Sequence, residues 1–245
     1  MQTEINSEAF ITRLYALQCD NELKKIQRYF KSGKGEYSEG DVLIGVKMGD
    51  VFKLAKEFTT MPLPEIEKLL ESPIHEVRVG AVSIMDFIAR AKKTPGNIRK
   101  ELFDLYLRRH DRINNWDLVD RSAIYVIGSY LSDKPRDILY KLAHSENMWE
   151  RRTAIVSTGY FIKSGDVADT FAIAKLLLND PEDLIHKAAG GWIRHAGASK
   201  HRKHLISFLD EHAATMPRVM LRYAIEHLEP DEKKHYMELK KTTQS

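Results

Sequence analysis

The stretch NNWDLVDRSAIYV, residues 114–126, sets Trp116 and Asp120 four positions apart. On a helix that spacing stacks the two side chains on one face, one turn from each other. A π-face beside a carboxylate suits a flat, positively charged guest, because the acid stabilises the charge and the indole attracts it. The competing reading is structural: Trp116 is core, and Asp120 solvates a helix end or pairs with Arg121, Arg151 or Arg152. Asp117, the second acid, falls in the first helical turn. There a negative charge complements the helix dipole, and Asn115 stands where a cap belongs. Asp117 is therefore assigned no chemistry.

The element carrying this pair must be a helix, and the chain is rich in helical patterns. Apolar residues recur with a 3.6-residue period from SEAFITRLYAL near the start to RVMLRYAIEHL near the end, and strand-like alternation is nearly absent. Pro64 and Pro135 sit where a first helical turn tolerates proline. The connector KSGKGEYSEGDVLIGVK holds four of the 13 glycines, Gly33, Gly35, Gly40 and Gly45. An all-α fold follows. We expect one HEAT-like repeat domain over residues 1–245, with N-terminal helices in 1–60, regular repeats over about 61–230 and a short charged C-terminal tail that frays.

An internal repeat supports this organisation. Ala81, Ala123, Ala154, Ala189 and Ala224 align at spacings of 42, 31, 35 and 35, suiting paired antiparallel helices whose small residue permits close approach. Two positions before each alanine stand Val79, Arg121, Arg152, Lys187 and Arg222, four of them basic. In a helical solenoid such a column draws a positive stripe along the concave face, which suits a phosphate backbone. The plainer alternative is long basic side chains snorkelling past the core.

Composition narrows the classes without choosing among them. A chain of 245 residues, 43% hydrophobic and 30% charged, has ample material for a core. The net charge of +3 is too mild to mark a nucleic-acid binder by itself. No stretch approaches the roughly 18 apolar residues of a membrane span, and the N-terminus lacks the apolar region of a secretory signal. Cys19 is the single cysteine, so no internal disulfide forms and no cysteine metal cluster exists. Cytoplasmic residence is the expectation. The pair His201 and His204 in HRKH lacks nearby acids or cysteines, which argues against a metal site. SGKGEYSEG lacks the ending and the preceding strand of a phosphate-binding loop.

In chain order, YFKSGKGEYSEGDVLIGVK, NNWDLVD, MWERRTAIV and KAAGGWIRHAG resemble the signature segments of the AlkD-like DNA alkylation repair glycosylases, over nearly the whole chain. The resemblance implies a HEAT-like all-α solenoid that hydrolyses the N-glycosidic bond of cationic purines such as 3-methyladenine and 7-methylguanine in duplex DNA. It implies no deep pocket for an extruded base, unlike most enzymes acting on bases. By motif position, Trp116, Asp120 and Arg152 match the catalytic cleft, and Tyr29 matches a tyrosine near the lesion-facing groove. Arg121, Lys187 and Arg222 extend the grip on DNA. The implied enzyme is a monomer in a bacterial-type cytoplasm, associated with the nucleoid when acting, and uses neither metal nor organic cofactor.

Two departures from the family pattern stand out. Many relatives carry a tryptophan where Gly191 stands here, and Trp192 comes one position later, a turn of about 100° on a helix. Trp192 is thereby a candidate for core as well as cleft, and Arg194 keeps the family's basic residue. Gly49 and Phe52 occupy places where proline and arginine are frequent, which puts one DNA contact in question. Trp149 reads as packing, and Arg151 as turned away from the stripe. Two rival functions remain open at this stage: a non-catalytic DNA-binding paralogue for bent or branched DNA, and a protein-binding scaffold.

Overall fold

Apolar residues at helical spacing dictate what the computed structural model shows: helices joined by turns, with a single isolated bridge between Val42 and Ile74 among the described residues. The structure describes residues 4–30 and 37–242. The connector glycines Gly33 and Gly35 lie outside them. None of the described helices is long and apolar enough to cross a membrane. The chain divides into two compact units, residues 1–130 and 131–245.

The first unit contains α1 (Ser7–Tyr15), α2 (Asp20–Tyr29), α3 (Met48–Glu57), α4 (Leu63–Leu70), α5 (His75–Arg90), α6 (Gly96–Arg108) and α7 (Trp116–Ala123). Helix α5 is its centre, packed by α3, α4 and α7. Nearly every residue of α5 is buried, as befits a helix covered on all sides. Its polar residues are consequently paired. The carboxylate of Glu76 accepts the amides of Ile44 at 3.1 Å, Gly45 at 2.8 Å and Val46 at 3.4 Å, which pins the connector to α5. Gly45 has φ of +79°, and a Cβ there would collide with Leu23 and the Cys19 carbonyl, so only glycine fits.

Helix α7 starts as its sequence indicates: the Asn115 side chain accepts the Trp116 amide at 2.8 Å. It runs on into a wider π-turn over Ile124–Gly128, where the Ser129 amide reaches back five residues to the Ile124 carbonyl at 3.1 Å.

The second unit contains α8 (Asp137–Ala143), α9 (Met148–Ser157), α10 (Gly159–Ile162), α11 (Ala168–Leu176), α12 (Asp183–Ala196), α13 (Arg202–His212), α14 (Arg218–Ala224) and α15 (Pro230–Thr242). Helices α12 and α14 pack so closely that a methyl at Gly190 would overlap the Met220 carbonyl. The five alanines of the repeat pattern are all buried, at 0–1% exposure. They therefore sit at helix contacts in both units, as a small residue should.

In the C-terminal segment, residues 230–242 form α15. Tyr236 is buried and donates its hydroxyl to Asp210 at 2.8 Å, Arg218 donates to the Met237 carbonyl at 2.9 Å, and Arg202 pairs with Glu232.

Candidate active site

A cleft of about 560 Å³ opens in the first unit. Ile26 and Phe30 of the α2 end, Met48 and Phe52 of α3 and Val79 of α5 form its apolar walls. Trp116, Asp117, Asp120 and Arg121 of α7 line the facing side. The i, i+4 spacing thus brings Trp116 and Asp120 to one cavity. Trp116 is half-buried and stacked on Phe30, with centroids 5.9 Å apart and planes 17° from parallel, while Asp120 is exposed.

The two acids of α7 have different surroundings. Asp117 Oδ2 accepts from Nε2 of His75, which is fully buried, at 2.7 Å, and its Oδ1 accepts the Leu118 amide at 2.9 Å. Nδ1 of His75 lies 3.5 Å from Asp41 Oδ2. Burial alone would push the His75 imidazole down, but the charge and hydrogen bond of Asp117, with the charge of Asp41 beside it, outweigh it and hold its pKa at about 9. Burial pushes Asp41 up, but His75 and Arg78 together hold its carboxyl below the usual range. Arg78, nearly fully buried, donates to Asp41 and to the carbonyls of Ser72 at 3.0 Å and Pro73 at 3.2 Å. Asn115 joins this network by donating Nδ2 to Asp41 Oδ2 at 3.4 Å, and it also donates to Ser38 Oγ at 2.7 Å. The negative charge of Asp117 is thereby committed to His75, and the network ties the start of α7 to α5 and the connector.

Arg121 lines the cleft with its guanidinium turned inward. Nη1 reaches Asp86 at 2.7 Å, Nε reaches Ser83 Oγ at 3.0 Å, and the rings of Phe52 and Phe87 flank it at 4.6 and 4.7 Å. The fully buried Asp86 also accepts from Arg90 Nε at 2.7 Å. Burial lowers the Arg121 pKa against the pull of Asp86, and burial raises that of Asp86 against the pull of Arg121 and Arg90. Phe52, where the family pattern favours arginine, thus supplies a ring for an arginine from another helix. Tyr29 ends α2, and its side chain lies outside the described residues.

The remaining candidates belong to the second unit. Arg152 of α9 is buried at 7% exposure and donates Nη1 to the Leu184 carbonyl at 2.8 Å. Trp192 stands on α12, eight residues after Leu184. Trp192 is half-buried, its indole fills the space a side chain at Gly159 would need, and it meets His195 edge to face at 5.5 Å. Arg194 forms an ion pair with Glu226. Lys187 of α12 and Arg222 of α14 are exposed. Trp149 is buried and Arg151 pairs with Asp180 at 2.6 Å, so both take structural places.

Sequence reasoning missed Phe30 and His75. Phe30 sits beside the matched Tyr29, and adjacent aromatics at a helix end give no periodic signal to tell which one turns inward. His75 had no flag beyond being one of ten histidines.

An all-α protein with an aromatic–carboxylate cleft is what fold and site define. Residues 10–228 match the family described as DNA alkylation repair enzyme, and the chain belongs to that family. Membership brings a role in the repair of alkylated DNA, with DNA as the partner. Among solved structures, a predicted DNA alkylation repair enzyme from Enterococcus faecalis shares the fold, with a TM-score of 0.66, at 17% identity over 87% of this chain and 97% of that one. No curated protein matches the chain in sequence.

Proposed function

We propose that this chain is a DNA N-glycosylase that hydrolyses the glycosidic bond of cationic N3- or N7-alkylated purines, such as 3-methyladenine and 7-methylguanine, in duplex DNA. The observation that carries the reading is the cleft shared by Trp116 and Asp120, in which the neighbouring acid Asp117 is committed to His75. Alkylation at N3 or N7 puts a positive charge on the purine, so the base leaves neutral and needs no proton. Bond cleavage builds an oxocarbenium-like cation on the deoxyribose. The carboxylate of Asp120 stabilises that cation and orients the attacking water. The indole of Trp116 contacts the lesion nucleotide, an attraction of roughly 0.5–2 kcal/mol for a cation over the ring. The family resemblance assigns Arg152 to a phosphate beside the lesion, as a forked guanidinium contact. Lys187 and Arg222 grip the backbone from exposed positions. The enzyme acts as a monomer in the cytoplasm or on the nucleoid.

The test is release of free 7-methylguanine and 3-methyladenine from methylated duplex DNA by wild type and Asp120→Asn. Release that falls on the order of 100- to 1,000-fold in the variant, with duplex affinity retained, supports the assignment. A folded wild type that binds duplex DNA but frees neither base points instead to the non-catalytic DNA-binding paralogue.

A further inference from the structure

The fully buried imidazole of His75 takes no part in the proposed hydrolysis, yet four groups enclose it. Asp117 from the first turn of α7 accepts from Nε2 at 2.7 Å, and Asp41 from the connector lies 3.5 Å from Nδ1. Phe30 at the end of α2 covers the ring, with centroids 4.9 Å apart. Arg78, one turn along α5, is the cation that shares Asp41. Glu76, the other ionisable neighbour on α5, is turned to the amides of Ile44, Gly45 and Val46. Among the described residues, the charges around His75 are thus two carboxylates and a guanidinium already held by one of them.

Two of these contacts lead to Trp116. Asp117 is its chain neighbour and anchors the turn on which it stands. Phe30 is stacked on its indole. One buried imidazole therefore touches both supports of the same tryptophan. We propose that His75, charged and clamped between Asp41 and Asp117, is the positioning residue that fixes the Trp116 indole in the cleft. It does so through Asp117 on the backbone side and Phe30 on the ring side. This rests on the glycosylase reading, in which Trp116 meets the lesion. Loss of the proton turns the Asp117 ion pair into a hydrogen bond from a neutral imidazole to the carboxylate and removes the cation beneath Phe30, so Trp116 shifts. The pKa of about 9 keeps the clamp closed at neutral pH and opens it in alkali.

The experiment follows the indole N–H resonances of the intact ¹⁵N-labelled protein from pH 7 to 10, with Trp116→Phe identifying the relevant peak. In wild type the Trp116 peak moves with a midpoint of about 9, and in His75→Gln that movement is gone. Phe30→Leu keeps His75 between its carboxylates but removes the ring, and the movement falls below half of the wild-type shift. Single-turnover base release, corrected for spontaneous loss, falls about tenfold between pH 8 and 10 in wild type, tracking the protonated fraction, and stays flat in His75→Gln. A Trp116 peak that stays fixed to pH 10 in wild type, or moves equally in His75→Gln, overturns the proposal. Should His75→Gln not fold, the wild-type titration and Phe30→Leu decide. If Trp116 titrates at about 9 but no protein releases base, the glycosylase reading fails and the clamp stands.

Discussion

Replacing His75 by glutamine removes a buried cation and should change how stability depends on pH. The imidazole titrates near 6.5 when unfolded and at about 9 in the fold. A raised pKa means that the folded state holds the proton more tightly, so the contribution is fully present below pH ~6.5 and is lost as pH climbs through about 9. The gap of about 2.5 units at ~1.4 kcal/mol per unit gives roughly 3.5 kcal/mol over the whole titration. Urea unfolding of wild type and His75→Gln at pH 6, 7.5 and 9.5 measures it directly. Ionisable groups other than His75 are common to both proteins and cancel in the difference. Wild type should lose about 3 kcal/mol relative to the variant between pH 6 and 9.5, with most of the loss complete by pH 9. Parallel pH dependences would refute the reasoning, because they would mean that His75 is neutral in the fold or bears no charge-dependent contact with Asp117 and Asp41.

Other perturbations probe separate parts of the molecule. Asp86→Ala strips the buried carboxylate from the half-buried Arg121 and should destabilise the protein by about 2–4 kcal/mol, read as a lowered urea midpoint; a change under about 1 kcal/mol would show that Arg121 finds other compensation. Gly190→Ala drives a methyl into the Met220 carbonyl and should cost about 1–3 kcal/mol, since backbone cannot swing aside as a side chain can; an unchanged thermal midpoint would contradict the close packing of α12 on α14. Removing Lys187 and Arg222 together should weaken binding to any duplex and reduce the slope of log affinity against log salt by about 1 per residue; an unchanged slope would take both away from the phosphate backbone.

How much of this was legible in the sequence depended on the distance over which the deciding contacts act. Helices follow from local periodicity, and Trp116 and Asp120 reach one cleft because a spacing of four is itself the geometric statement. Asn115 as a cap is equally local. The basic column was read from a repeat, and a repeat fixes which residue stands at a position but not where its charge turns. Arg121 turns to Asp86, 35 residues away on α5, and Arg152 turns to the Leu184 carbonyl, whereas Lys187 and Arg222 at the same kind of position stay exposed. The displaced Trp192 shows the same limit. Its register was visible, but the partner it found, the bare backbone of Gly159, was not.

The second acid of NNWDLVD makes the strongest link between these levels. Placing Asp117 in the first helical turn explained it by the helix dipole, and that account was sufficient for a local reading. The fold adds His75 from 42 residues upstream, and the acid becomes one half of a buried ion pair. That pairing sorts two carboxylates on one helix into different roles. One holds the helix end against α5, and the other stands exposed in the cleft beside an indole that the same ion pair supports. An electrostatic catalyst needs its charge rigidly placed before the transition state forms, because reorganising it during reaction cancels much of the gain. A buried salt bridge that adds little net stability over an apolar substitute can still be kept for the geometry it imposes. On the proposed reading, the His75–Asp117 pair serves both ends: its charge adds pH-dependent stability, and its geometry sets Trp116 beside Asp120.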